Sequence, residues 1–337
     1  MSFPVFNQIE SSLSIPPQII IWIHGTRTHG IFPPTHVVKK ENKNKKAPAN
    51  PHRAIAYSPI GLHSLLALDQ DLHVSAIARA LHETNHYLCD QEHIYLFGWT
   101  GDFSPEARTI AGLHLYQELK KLTELYIKKY NVCPSIIIVT HSHGGNVALE
   151  SSTISDNSFS VEKLILLACP VQEKTKPYTQ SPLFKSIYSI HSDKDYFQIL
   201  DMQGLHPIWT AFEGALKSSS LTPIKNAWRE HSRSTKLLSE RHFPQQSNLK
   251  QACVEWKKDT IKWSTKDLCI MEPFLSKNSI QKLQIKLQSY DKKERGLMHI
   301  EFLFPTFLQQ LPYILQTLDA TPISTDAKSS PSIGISL

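Results

Sequence analysis

The chain has 337 residues, of which 41% are hydrophobic and 20% are charged, and it carries a formal net charge of +6. This length suits one large α/β domain or two small ones, and the ordinary composition excludes a chain that is disordered throughout. No run of about 18 apolar residues is present, so no transmembrane helix is predicted. Residues 1–17 contain no Lys or Arg and no sustained apolar core. A secretory signal has a basic start and an apolar core, so residues 1–17 are interpreted as an N-terminal extension and not as a signal.

Cysteine usage favours a reducing compartment. The five cysteines are widely scattered without Cys-x-x-Cys spacing, at positions Cys89, Cys133, Cys169, Cys253 and Cys269. An odd count without a disulfide framework is typical of an intracellular protein. We therefore expect a cytoplasmic location, which leaves export without a cleaved signal open.

Much of the positive charge is local. Between Lys39 and Lys46 the chain holds five Lys and one Glu. Such a run is typical of a solvated loop, and its charge would also suit a weak contact with an anionic membrane surface. The chain shows neither basic stretches with interleaved aromatic residues nor zinc-finger spacing, so no nucleic-acid binding is expected.

The first half of the chain alternates between predicted strands and helices. Residues 18–24 are mostly apolar and predict a strand that ends in His24-Gly25-Thr26. A Pro- and Lys-rich insertion at 32–59 follows, and apolar residues then recur at helical spacing over 72–84. Residues 93–99 predict another buried strand. A long helix begins after Ser104, which fits the N-cap position, with Pro105 in the first turn.

The most informative stretch is 136–150. Four β-branched residues at 136–139 predict a strand buried on both faces, and a polar turn with a single Ser, Ser142, precedes Gly144-Gly145 and a helical segment. A sharp strand–helix turn of this kind exposes a Ser hydroxyl at the carboxyl edge of a parallel sheet. The glycines are needed because a Cβ there would collide with a neighbouring strand.

Strands 163–168 and 186–191 continue the βαβ alternation of a doubly wound parallel sheet. Residues 207–278 lack a clear pattern and are interpreted as an insertion, or a cap, before a last strand at 281–288. A helix is expected within 302–318, and the Ser-, Thr-, Pro- and Ala-rich segment 319–337 is predicted to be disordered.

Taken together, the elbow at Thr140-His141-Ser142-His143-Gly144 and the strand that ends in His24-Gly25 resemble the α/β-hydrolase superfamily, and within it the lipase- and esterase-like serine hydrolases. Thr140 departs from the Gly-x-Ser-x-Gly pattern of that family. The resemblance implies a three-layer α/β fold over 18–318, with a mostly parallel central sheet, helices on both faces and an insertion before the last strand.

The resemblance also implies an oxyanion hole and a catalytic triad. The backbone N–H groups of His143 and of Thr26, or of its neighbour Arg27, would stabilise the oxyanion. The family order of Ser, acid and His is met by Ser142, Asp195 and His299. Asp193 is the alternative acid. His299 is the histidine expected between a final strand and a C-terminal helix, so it is the predicted base. The other candidates for the base are His141, His143, His231 and His242.

The predicted activity is therefore hydrolysis of small-molecule or lipid carboxylic esters through an acyl-enzyme on Ser142, without a cofactor. A thioesterase or acyltransferase would use the same triad, and a non-catalytic hydrolase-like binding protein is a further alternative. His141 and His143 are not expected to bind a metal ion, because side chains two residues apart on a sharp turn diverge and no acidic cluster accompanies them.

Overall fold

A computed structural model of the chain describes residues 16–26, 59–70, 72–84, 90–102, 104–199, 240–257, 267, 295–321 and 331–335. Several sequence-based predictions lie outside the described residues. These are the basic segment between Lys39 and Lys46, the strand predicted at 281–288, all of the insertion at 32–59 except its last residue, and the residues Arg27 and His231.

Within the described residues, nine strands form one sheet. In chain order they are β1 (Gln18–Ile23), β2 (Gly61–Ser64), β3 (Ile94–Gly98), β4 (Ser135–His141), β5 (Val161–Leu167), β6 (Phe184–His191), β7 (Leu249–Trp256), β8 (Arg295–Gly296) and β9 (Ser332–Ile335). The spatial order is β2-β3-β1-β4-β5-β6-β7-β8, and β9 also pairs with β7. Only the pairs β2–β3 and β7–β8 are antiparallel. The predicted mostly parallel sheet is therefore confirmed.

Helices cover both faces of this sheet. The described α-helices are α1 (His73–Thr84), α2 (Pro105–Tyr130), α3 (Gly144–Glu150), α4 (Tyr196–Ile199), α5 (Pro305–Leu308) and α6 (Leu311–Ala320). The N-cap predicted for α2 is present, because the Ser104 hydroxyl accepts a hydrogen bond from the Ala107 N–H at 3.0 Å. None of the described helices is long and apolar enough to cross a membrane.

Successive side chains of β1 point into two different hydrophobic clusters. Ile20 and Trp22 belong to the cluster that contains apolar residues of α1 and α6. Ile19, Ile21 and Ile23 belong to the cluster that contains apolar residues of α2 and α3. The near-continuous apolar pattern of the strand thus reflects burial on both faces, which gives three layers. This confirms the predicted α/β-hydrolase architecture.

Two sequence-based expectations need correction. The region 207–278, interpreted as an insertion or cap, contains β7, which pairs in parallel with β6 inside the sheet. Polar residues such as Lys250, Gln251 and Glu255 dilute the apolar pattern of this strand. The segment 319–337, predicted to be disordered, contains β9. This strand has four residues, too few to show in the average composition of the segment.

Candidate active site

Ser142 lies at the carboxyl end of β4 in a conformation that few non-glycine residues adopt. Its φ angle is +54°, in the left-handed region, which costs an L-residue roughly 1–2 kcal/mol. Two backbone hydrogen bonds hold the turn: the Ser142 N–H donates to the Leu167 carbonyl oxygen at 2.9 Å, and the Gly145 N–H donates to the Ser142 carbonyl oxygen at 3.0 Å. The strain is therefore local and supported by the surrounding backbone, as is typical of functional turns.

The neighbours of Ser142 explain both the glycines and the departure from the family pattern. A Cβ on Gly144 would lie 2.6 Å from the carbonyl oxygen of His24, so only glycine allows α3 to approach β1. Thr140, which replaces the first small residue of the pattern, is fully buried. Its hydroxyl donates to the Ile165 carbonyl oxygen on β5 at 3.1 Å. The larger side chain is thus accommodated by a hydrogen bond to the next strand.

The end of β1 lies directly beside the turn. Ile23 pairs with Thr140 in the parallel register, so His24, Gly25 and Thr26 run alongside the residues that follow β4. A Cβ on Gly25 would lie only 2.8 Å from the Ser142 Cβ. Thr26 follows at once, and its hydroxyl is buried with no hydrogen-bond partner among the described residues.

His24 is fixed by Trp99, the residue after β3. The Trp99 backbone N–H donates to His24 Nε2 at 3.3 Å, and the indole N–H donates to the His24 carbonyl oxygen at 2.9 Å. Because Nε2 accepts, the ring hydrogen is on Nδ1, which donates to the Gly25 carbonyl oxygen at 2.7 Å. These contacts fix His24 and Gly25 relative to the end of β3.

The acid and the base predicted from the sequence are brought together. His299 Nδ1 lies 2.7 Å from Asp195 Oδ2, although the two residues are 104 positions apart in the chain. Asp195 is fully buried, and its other carboxylate oxygen accepts the Gln198 backbone N–H at 3.1 Å. Asp193, the alternative acid, is exposed, and the carboxylate that contacts His299 is that of Asp195.

His141 is a site residue whose role the sequence did not reveal. Its Nε2 donates to the His299 carbonyl oxygen at 3.0 Å, and the two rings lie 4.6 Å apart between centroids. Burial, together with the neighbouring His299 imidazole, holds the pKa of His141 well below its usual value. His141 therefore stays neutral and ties the His299 backbone to the Ser142 turn.

Residues 192–195 form the turn after β6, which we name the acid turn. Arg241 holds this turn through hydrogen bonds to its backbone. The guanidinium of Arg241 donates to the carbonyl oxygens of Ser192, Asp193 and Asp195, each at 3.0 Å. Arg241 lies in the region interpreted as an insertion, and no sequence pattern marked it. The acid turn also packs closely against Gly296, where any Cβ would meet the Ser192 side chain.

The loop that carries the base has its own support. The Met298 backbone N–H donates to Glu301 Oε2 at 2.7 Å, and Glu301 is fully buried. Met298 is the N-cap residue of the short 3-10 helix His299–Leu303, so this hydrogen bond caps the helix from the residue before His299. The His299 ring is therefore oriented by Asp195 and its backbone by both His141 and Glu301.

Comparison with known proteins identifies a related family over part of the chain. A search of the curated proteins found no match. Residues 74–195 match the model of a family described as the PGAP1-like alpha/beta domain, which belongs to the lipase- and esterase-like α/β hydrolases. The matched segment includes Ser142 and ends at Asp195, while Thr26 and His299 lie outside it. Residues 74–195 are thus similar to the PGAP1-like alpha/beta domain, and the sheet has the order of an α/β-hydrolase fold, which together support a hydrolase-like function.

Proposed function

We propose that the protein is a serine hydrolase that cleaves carboxylic esters, of the lipase or carboxylesterase type, through an acyl-enzyme on Ser142. The observation that carries the proposal is the 2.7 Å contact between His299 Nδ1 and the buried carboxylate of Asp195. Two further observations support it: Ser142 lies in the left-handed region, and the preceding residue, His141, donates a hydrogen bond to the His299 carbonyl oxygen. An imidazole oriented in this way is the base that a Ser hydroxyl needs, since the hydroxyl alone is a poor nucleophile at neutral pH.

In the proposed reaction, the Ser142 hydroxyl oxygen attacks the ester carbonyl carbon while His299 Nε2 takes the hydroxyl proton. Asp195 stabilises the imidazolium that forms and holds the ring in the Nδ1–H tautomer. The backbone N–H groups of His143 and Thr26 are the proposed donors to the oxyanion. In enzymes of this type each donor stabilises the transition state by roughly 3–4 kcal/mol. His299 then protonates the leaving alkoxide.

The second half of the reaction uses the same residues. His299 removes a proton from water, and the hydroxide attacks the acyl carbon of the Ser142 ester. The second tetrahedral species collapses, the carboxylic acid leaves, and the proton returns from His299 to the Ser142 oxygen. Transfer to an acceptor other than water, or release from a thioester, would follow the same steps with a different acceptor or leaving group.

A fluorophosphonate probe tests the nucleophile directly. We expect the full chain to gain one covalent adduct on Ser142, and the Ser142→Ala variant to gain none. Ser152→Ala is a matched control, because Ser152 follows the same helix and its hydroxyl donates to the Leu149 carbonyl oxygen at 2.8 Å, and it should label like the wild type. Labelling that persists in Ser142→Ala contradicts the assignment. Absence of labelling in folded wild-type protein would instead support a non-catalytic binding protein.

A panel of substrates then tests the class of reaction. Esters of increasing acyl length, with thioesters of matched acyl chains, would be compared by kcat/KM. We expect kcat/KM to be higher for esters than for thioesters. An increase of kcat/KM with acyl length would support the lipase type. Preference for thioesters would contradict the proposed substrate class while leaving the role of Ser142 intact.

A further inference from the structure

A second group of reactive side chains lies on the acid turn and the two strands beneath it. His191, Asp193 and Cys253 each offer one potential ligand atom, and these atoms all lie within 4.8 Å of one another. His191 ends β6, and it is paired directly with Cys253 on the neighbouring strand β7. The sheet therefore fixes two of the three side chains, and the third belongs to the turn that follows.

His191 has no hydrogen-bond partner that would explain its burial. Its side chain is completely buried, and neither ring nitrogen has a hydrogen-bond partner among the described residues. The ring packs edge-on against His242, with centroids 4.4 Å apart. Buried polar groups nearly always have a hydrogen-bond partner or another ligand. A buried imidazole without a hydrogen-bond partner therefore indicates a binding partner such as a metal ion.

The chemistry of the three donors selects a class of ligand. A thiolate, an imidazole and a carboxylate together suit a borderline-soft divalent cation, whereas Mg²⁺ and Ca²⁺ prefer sites made of oxygen atoms alone. Tetrahedral zinc bonds of about 2.0–2.3 Å place ligand atoms roughly 3.3–3.8 Å apart. The three ligand atoms lie no more than 4.8 Å apart, so the widest separation exceeds the tetrahedral value by at most about 1.0–1.5 Å. Asp193 is exposed, so its side chain can turn toward the two strand residues.

We propose that His191, Asp193 and Cys253 bind a zinc-class divalent cation. On binding, the metal replaces the proton of the Cys253 thiol, which is released to solvent, and the sulfur coordinates as the thiolate. His242, in contact with His191, is a further potential donor. The bound ion would join β6, β7 and the acid turn two residues before Asp195, so its role would be structural, and the proposal does not depend on the proposed ester hydrolysis.

Titration of the metal-stripped full-length protein with Co²⁺ tests the sulfur ligand. We expect one equivalent to bind with a thiolate-to-cobalt charge-transfer band in the near ultraviolet, and Zn²⁺ to displace it. Cys253→Ser should abolish the band. Cys133→Ser is the matched control, because Cys133 is an exposed free cysteine outside the cluster, and it should keep the band unchanged.

Calorimetric titration with Zn²⁺ provides a second readout. Asp193→Asn removes an exposed ligand and should weaken binding by more than tenfold, since even outer-shell partners account for about 10–100-fold. Zn²⁺ should raise the Tm of the wild type, and Mg²⁺ should not.

Absence of the cobalt band in the wild type, or its persistence in Cys253→Ser, would overturn the proposal. If Cys253→Ser does not fold, as judged by circular dichroism, Asp193→Asn decides, and an unchanged Zn²⁺ affinity there refutes the site. Binding of Zn²⁺ by surface histidines alone would appear as an affinity that neither substitution changes, and it would refute the site equally.

Discussion

Substitution of Gly25 by Ala is the sharpest test of how β1 positions the Ser142 turn. The added Cβ would lie 2.8 Å from the Ser142 Cβ and 3.1 Å from the His141 carbonyl oxygen. An ordinary contact begins at 3.4 Å, so the two segments must separate by about 0.6 Å. Neither neighbour is the end of a flexible side chain, so the backbone must give way.

The expected effect on reactivity follows from that displacement. A misplacement of about 1 Å at a reacting group costs roughly 100-fold in rate, so a shift of about 0.6 Å should slow fluorophosphonate labelling of Ser142 by roughly 10–20-fold. Overpacking should also lower the free energy of unfolding by about 1–3 kcal/mol. Labelling rate and urea unfolding would be measured on the same preparations.

Gly112→Ala is the matched control. Its Cβ would lie 2.6 Å from the Glu150 Cβ and 2.9 Å from the Ser151 nitrogen, where α2 crosses the end of α3. We expect a comparable or larger loss of stability with labelling of the folded fraction close to the wild-type rate. If Gly25→Ala labels at the wild-type rate, or if both variants slow labelling equally, the inference that β1 positions the site is refuted.

Three further predictions rest on single contacts. Asp195→Asn should slow fluorophosphonate labelling by about 10⁴-fold, because the amide favours the wrong imidazole tautomer. Asp193→Asn should slow labelling by no more than about tenfold. If Asp193→Asn had the larger effect, Asp193 would be the acid. The pKa of buried His141 is depressed when folded, so the unfolded chain binds the extra proton. Stability should therefore fall by about 1.4 kcal/mol per pH unit as the pH drops below about 6.5 and should not change above it for this group. Urea unfolding at pH 7, 6 and 5 measures this slope, and His141→Gln, which keeps a donor but does not titrate, should reduce it; an equal slope in both proteins contradicts the assignment. Thr140→Val should cost about 0.5–1.5 kcal/mol of unfolding free energy because a buried hydrogen bond to the Ile165 carbonyl oxygen is lost. Unchanged urea unfolding would show that the hydrogen bond contributes nothing.

What the sequence could predict depended on local patterns. The buried strand before Ser142 and the glycines after it are contiguous, so the elbow could be identified from adjacent residues alone. Asp195 and His299 were accessible for a different reason, since each follows an expected strand in the order that the fold requires. The choice between Asp195 and Asp193 stayed open because two carboxylates on one turn look alike until their directions are known.

What could not be predicted depends on register between distant strands. Arg241 reaches the acid turn from a region without a clear pattern. Its guanidinium binds backbone carbonyl oxygens, which every residue has, so no residue type in the acid turn indicates the contact. The pairing of His191 with Cys253 arises from the parallel alignment of β6 and β7. The positions of the cysteines in the sequence do not reveal that alignment.

The distance along the chain between Ser142 and His299 also has a consequence in time. The two residues are 157 positions apart. At a synthesis rate of about 5–20 residues per second, roughly 8–30 s pass between the translation of the serine and that of the histidine. At the start of this interval β1, β3 and β4 have been synthesised, and β5 and β6 follow during it, but the proposed base is added only at its end. Under the proposed roles, the growing chain would therefore carry an unreactive serine until residue 299 has been added.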